Sequence, residues 1–257
     1  TGGSALDEVI LVPCATMDGQ FVKTVHAEYG PFLRGRNAAW AVLVMLVTLL
    51  LAPLLLAPLL LAPVLTAALA SPASAAQKLL VLGDSLTAGY NLPPGDAYPA
   101  QLEAALKARG VNMPVINAGV SGDTTAAGLA RLDWALAEKP THVVVALGAN
   151  DMLRGLPPEQ ARQNLDAIIT QIKQAGVKVM LAGMLAAPNL GADYGKRFNS
   201  IYPDLAAKHG IPLYPFFLDG VVSDARLNLG DGLHPNRDGV AVMVERTLPQ
   251  ILRFLEN

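Results

Sequence analysis

The chain has 257 residues, a formal net charge of -2 and 16% charged residues, which excludes both a basic nucleic-acid footprint and a highly charged disordered tail. Its hydrophobic content of 52% is high for a soluble protein, but the excess is concentrated between Ala38 and Ala70. The remainder has ordinary globular composition.

Residues 1–33 read as a polar extension outside the two regions that follow. They hold Cys14, the only cysteine, so the rest of the chain has no thiol for a disulfide, a metal site or a cysteine nucleophile. Residues 34–76 read as an export signal, with a membrane anchor as the alternative. Arg34 and Arg36 precede an apolar block without charge to Ala70, and Ala73-Ser74-Ala75 fits a cleavage site. Leu49 to Pro63 is Leu-Leu-Leu-Ala-Pro repeated, and Pro53, Pro58 and Pro63 each remove a helical hydrogen bond. Only Ala38 to Ala52 is free of proline, which suits a signal core better than a span of about 20 residues. The expected product is periplasmic or secreted; the alternative is anchorage through residues 38–70.

Residues 77–257 read as one domain, without an internal linker. Runs rich in Val, Ile and Leu at Leu79 to Leu82, Val115 to Ala118, His142 to Leu147, Val177 to Ala182 and Ile211 to Tyr214 do not alternate, as befits parallel strands buried on both faces. Between and after them, helical patterns run over Ala97 to Arg109, Thr124 to Ala137, Pro158 to Ala175, Tyr194 to His209 and Arg237 to Leu255. Gly110, Gly176 and Gly210 supply stop signals, and Pro157-Pro158 opens the third helix. The alternation predicts an α/β fold: a three-layer α/β/α sandwich on a five-stranded parallel sheet, in the flavodoxin-like order 2-1-3-4-5. Ligands then bind at the carboxyl ends of the strands.

The candidate chemistry falls at those ends. Ser85, in Gly83-Asp84-Ser85-Leu86, follows the first strand at a turn; alone, Asp84-Ser85 fits a helix cap equally well. Asp231-Gly232-Leu233-His234-Pro235 places a carboxylate three residues before a histidine, near enough to hold Nδ1 while Nε2 faces a nucleophile. Gly122 offers a backbone N–H and Asn150 a side-chain amide, which with the Ser85 N–H make three donors for an oxyanion. Asp84, Asp123 and Asp151 flank these residues and read as caps or braces. His142 and His209 read as strand and helix termini, and His26 lies in the extension.

Gly83 to Tyr90, Asn117 to Thr125, Gly148 to Asp151 and Asp231 to Pro235 resemble, in order, the four blocks of the SGNH (GDSL-type) hydrolases. Ser121-Gly122-Asp123-Thr124, Tyr194-Gly195, Ile201-Tyr202-Pro203 and Asp231 to Asp238 are most similar to the bacterial periplasmic thioesterase I, lysophospholipase and arylesterase branch. The resemblance spans residues 77–257. It implies that Ser85 is nucleophile and oxyanion donor, that Gly122 and Asn150 complete the hole, that His234 is the general base and that Asp231 orients it. The implied activity is serine hydrolysis of small acyl esters, and of thioesters or lysophospholipids, without cofactor or metal. No nucleic-acid partner is expected, and membrane contact only through an uncleaved N-terminal segment.

Two alternatives stay open. One is a carbohydrate O-acetylesterase on the same fold; the other is a non-catalytic flavodoxin-like protein whose Ser85 loop binds phosphate. An α/β-hydrolase does not fit, because Thr87 stands at the second glycine of G-x-S-x-G.

Overall fold

The computed structural model describes residues 42–48 and 77–256, which fall in two compact units, Thr1–Ala73 and Ser74–Asn257. In the first unit residues 42–48 are helical. The expected extension 1–33, the proline-punctuated repeat and the cleavage site lie outside the described residues. Among those described, no helix is long and apolar enough to cross a membrane.

The second unit is built on five parallel strands: β1 (Leu79–Gly83), β2 (Val115–Gly119), β3 (His142–Ala146), β4 (Lys178–Ala182) and β5 (Leu213–Tyr214). Their order is β2-β1-β3-β4-β5, as predicted. Every residue of β1 and β3 is buried, which is why these segments are continuous apolar runs. β2 and β5 lie at the sheet edges and are only partly buried. β5 pairs only through Leu181 with Leu213 and Ala182 with Tyr214, so it is shorter than its apolar run predicts.

The helices are α1 (Ser85–Ala88), α2 (Tyr98–Ala108), α3 (Thr125–Ala130), α4 (Leu132–Leu136), α5 (Ala149–Leu153), α6 (Pro158–Gln174), α7 (Ala192–Asn199), α8 (Ile201–His209) and α9 (Arg237–Glu256). α2 packs with α9, and α6 with α3, α7 and α8, forming the outer layers. In α6, Ala161, Leu165, Ile168, Ile169 and Ile172 recur at the three-to-four-residue spacing that puts them on one buried face. Burying each of the larger side chains contributes roughly 1.5–3 kcal/mol.

Two predicted helices are each broken. The run Thr124 to Ala137 divides at Arg131 (φ -108, ψ 9), whose guanidinium is drawn inward to the carboxylate of Asp123 and the carbonyl of Gly83. The run Tyr194 to His209 divides at Ser200, because Pro203 cannot donate to residue 199 and is tolerated only in the first turn of a new helix.

The strand ends converge where backbone comes unusually close to backbone. A Cβ on Gly83 would lie 2.4 Å from Thr87 Oγ1 and 2.9 Å from the carbonyl of Ala146, so glycine here lets α1 start directly over the sheet edge. That close approach brings Ser85 to the carboxyl end of the sheet.

Candidate active site

Asp84 sets the turn. It is fully buried, and its Oδ1 accepts the Leu86 N–H at 3.0 Å, capping α1. Ser85 is the first residue of that helix, where the backbone N–H has no intrahelical acceptor. Burial pushes the Asp84 carboxyl up to about 6, against the lowering effect of the Leu86 N–H and the Asn150 amide.

His234 reaches Ser85 from the loop before α9. Its Nε2 lies 2.9 Å from Ser85 Oγ, and its Nδ1 lies 2.7 Å from Asp231 Oδ2. With Nδ1–H donating to the carboxylate, Nε2 is the free acceptor for the serine proton. The other carboxylate oxygen, Asp231 Oδ1, accepts the backbone N–H groups of His234 at 3.0 Å and Leu233 at 2.9 Å. These two bonds, then the imidazole, pull the Asp231 carboxyl down to about 2, so it is ionised throughout the neutral range. The D-x-x-H spacing therefore makes a closed turn in which one carboxylate holds both the loop backbone and the imidazole. The loop is fastened by Leu229 N–H to the His234 carbonyl at 2.7 Å and by Asn236 N–H to the Leu227 carbonyl at 2.9 Å.

Asn150 stands in α5, just beyond β3, and its Nδ2 donates to the Asp123 carbonyl at 3.0 Å and to Asp84 Oδ2 at 3.2 Å. Both amide hydrogens thus have acceptors in the loops that follow β1 and β2, a commitment that the sequence did not reveal. Gly148, with φ +116, starts this turn, and a Cβ there would lie 2.2 Å from the Tyr202 hydroxyl, which donates to the Leu147 carbonyl at 2.9 Å. Gly122 has φ +87, and its carbonyl accepts from Arg154 Nη2 at 2.7 Å. It lies next to Asp123, but unlike Ser85, Asn150 and His234 it does not line the cavity.

That cavity has a volume of about 560 Å³ and is walled by apolar side chains including Leu86, Met152, Leu153, Met184, Phe216 and Leu218. Ser85 and His234 are at its wall, so a carbonyl placed at Ser85 has an apolar space beside it.

The flanking carboxylates brace the site, as expected. Asp123 pairs with Arg131 at 2.6 Å, and Asp151 accepts the N–H of Thr125 at 2.8 Å and its hydroxyl at 2.6 Å. Neither His142 nor His209 lines the cavity: His142 is buried against Phe254, and His209 ends α8 beside Asp166. Sequence reasoning gave Tyr90 no role, yet its ring lies 4.3 Å from the His234 ring with a 33° tilt. Its position at the end of the GDSL-type block was the available signal, but its partner is remote in sequence.

The sequence profile of the GDSL-like lipase/acylhydrolase family matches residues 81–242. The chain is 41% identical to an arylesterase of Vibrio mimicus over 188 residues, covering 73% of this chain and 94% of that one. It is 42% identical to thioesterase 1/protease 1/lysophospholipase L1 of Escherichia coli K12 over 167 residues, covering 65% and 79%. Among solved structures it is similar to AlinE4, an SGNH-hydrolase family esterase, with 46% identity, a TM-score of 0.60 and coverage of 70% and 97%. The chain belongs to the GDSL-like lipase/acylhydrolase family and has the fold of the SGNH hydrolases.

Proposed function

We propose that this chain hydrolyses carboxylic esters, with acyl thioesters and lysophospholipids as further substrates, through an acyl-enzyme on Ser85. The observation that carries this reading is the continuous run from Ser85 Oγ through His234 to Asp231, at 2.9 and 2.7 Å, beside an apolar cavity. The names of the Vibrio and Escherichia relatives support the substrate classes.

In the proposed reaction His234 Nε2 takes the Ser85 proton as Oγ attacks the carbonyl carbon. Ionised Asp231 holds the imidazole in the required tautomer and stabilises the imidazolium that forms. The Ser85 and Gly122 N–H groups and Asn150 Nδ2 receive the oxyanion. The amide shares with it the hydrogen that otherwise goes to Asp84 Oδ2, the longer of its two bonds. His234 then protonates the leaving alcohol or thiol, and water deacylates Ser85 by the reverse proton route. No step needs a cofactor. Esters and thioesters generate the same oxyanion, so one site serves both.

The apolar wall favours an acyl chain over a sugar, and a carbohydrate O-acetylesterase is therefore the weaker reading. Phosphate binding at the Ser85 turn is weaker still, since the Ser85 hydroxyl is engaged by His234 and the buried Asp84 carboxyl adjoins it. Export beyond the inner membrane belongs to the same proposal and is supported by Arg34, Arg36, the apolar block and Ala73-Ser74-Ala75.

The test is turnover on a panel of acyl esters and acyl thioesters, with mass spectrometry of the quenched enzyme. The expected result is a covalent acyl adduct on Ser85. Turnover that persists in Ser85→Ala would contradict the proposal.

A further inference from the structure

Arg131 joins parts of the site that are far apart in sequence. Its Nε donates to Asp123 Oδ2 at 2.6 Å, and its Nη2 donates to the Gly83 carbonyl at 3.0 Å. The Gly83 carbonyl also accepts the Val120 N–H at 3.1 Å, so the end of β1 and the loop after β2 are fastened together at this point. Gly83 lies two residues before Ser85. Asp123 follows Gly122, and its own carbonyl accepts from Asn150 Nδ2 at 3.0 Å. One guanidinium is thus linked to the backbone segments that carry Ser85 and Gly122 and, through Asp123, to the side-chain amide of Asn150.

Stability alone is a poor reason for an arginine here. Its side chain is 18% exposed and that of Asp123 11%, so both charges are largely withdrawn from water, and Arg131 Nη1 is buried without a hydrogen-bond partner. Replacing such a pair by well-packed apolar groups is often neutral or stabilising. What an apolar residue cannot supply is a rigid fork that bonds two acceptors on separate loops, and the ammonium of a lysine lacks that fork. Arg131 stands at the break between α3 and α4.

We propose that Arg131 is a positioning residue of the oxyanion hole. It fixes the separation between the Ser85 turn and the Gly122-Asp123 loop, and through the Asp123 carbonyl it fixes the reach of the Asn150 amide. This rests on the assignment of Ser85, Gly122 and Asn150 as oxyanion donors. Such donors stabilise the developing charge only when they are held in place beforehand, and a catalytic constellation tolerates displacements of only about 0.5 Å.

The test is steady-state kinetics on Arg131→Met, Arg131→Lys, Asp123→Ala, Asn150→Ala and the double variant Arg131→Met with Asn150→Ala, each checked for folding by circular dichroism. Arg131→Met is expected to lower kcat by roughly 10²-fold, on the scale of one lost oxyanion donor, with KM little changed. Arg131→Lys and Asp123→Ala are expected to lose at least about tenfold, and they carry the test if the methionine variant does not fold. The double variant is expected to lose far less than the product of the single losses, because both act on one hole. A purely structural role would instead give losses that multiply. Folded Arg131→Lys with full kcat beside an impaired Asn150→Ala would overturn this inference alone. Full kcat in Asn150→Ala would overturn the oxyanion assignment, and the inference with it.

Discussion

The ring of Tyr90 covers the imidazole of His234 at a centroid distance of 4.3 Å and a tilt of 33°. Aromatic contacts of this kind contribute about 0.5–1.5 kcal/mol, and the face of a phenol attracts an imidazolium such as the proposed acyl transfer forms on His234. Tyr90→Ala is expected to lower kcat by roughly 2- to 13-fold, the rate equivalent of that range, with a smaller effect on KM. Tyr90→Phe is expected to retain most of the rate. An equal loss in both variants would assign the effect to the hydroxyl and not to the ring.

Leu153 lines the cavity and is 53% exposed, whereas Leu156 does not line it and has its carbonyl bonded to the Tyr194 hydroxyl at 3.0 Å. The end of α5 thus borders the cavity through Met152 and Leu153, whereas residues 154–157 do not line it. Leu153→Ala is expected to shift the acyl-chain preference, and Leu156→Ala to leave it alone. Chain-length profiles of kcat/KM on a series of acyl esters check this; an unchanged profile in Leu153→Ala would remove that residue from acyl recognition.

Asp84 makes stability depend on pH in an uncommon direction. Its carboxyl is pushed up to about 6 in the folded protein from the ordinary aspartate value of 3.8, so between these values the folded chain binds the extra proton. The stability that Asp84 contributes is fully present below about 3.8 and is lost as pH rises through about 6. Asp84→Asn removes the titration, so its Tm minus that of the native protein is expected to rise between pH 4 and pH 7. Thermal melts across that range check the sign, and a flat or falling difference would contradict it.

Export predicts a mature form that starts at Ala76 or Gln77 when the chain is produced in a Gram-negative host. N-terminal sequencing of the soluble periplasmic fraction checks it. Recovery of active protein only in membranes, with residues 49–63 attached, would favour the anchor.

The sheet is legible because β1, β3 and all of β4 after Lys178 are buried and are written as short apolar runs rich in Val and Leu. β5 is shorter than its apolar run predicts, since pairing along a sheet edge is set by its neighbour and not by its own composition. The break at Ser200 had a local cause in Pro203. The break at Arg131 had none, because it serves bonds to Gly83 and Asp123. The same division holds in the site. The turn from Asp231 to His234 is short enough to read directly, whereas the grip of Asp84 and Asp123 on Asn150 joins three loops and shows only in the folded chain.

In the proposed reaction Ser85 and His234 act as one unit across their 2.9 Å contact. A double-mutant cycle in kcat tests it most directly, with Ser85→Ala, His234→Ala and both together, each verified as folded. Each single variant is expected to lose on the order of 10⁴-fold or more, and the double variant to lose little beyond either one. Near-native turnover in Ser85→Ala, or losses that multiply in the double variant, would contradict the account.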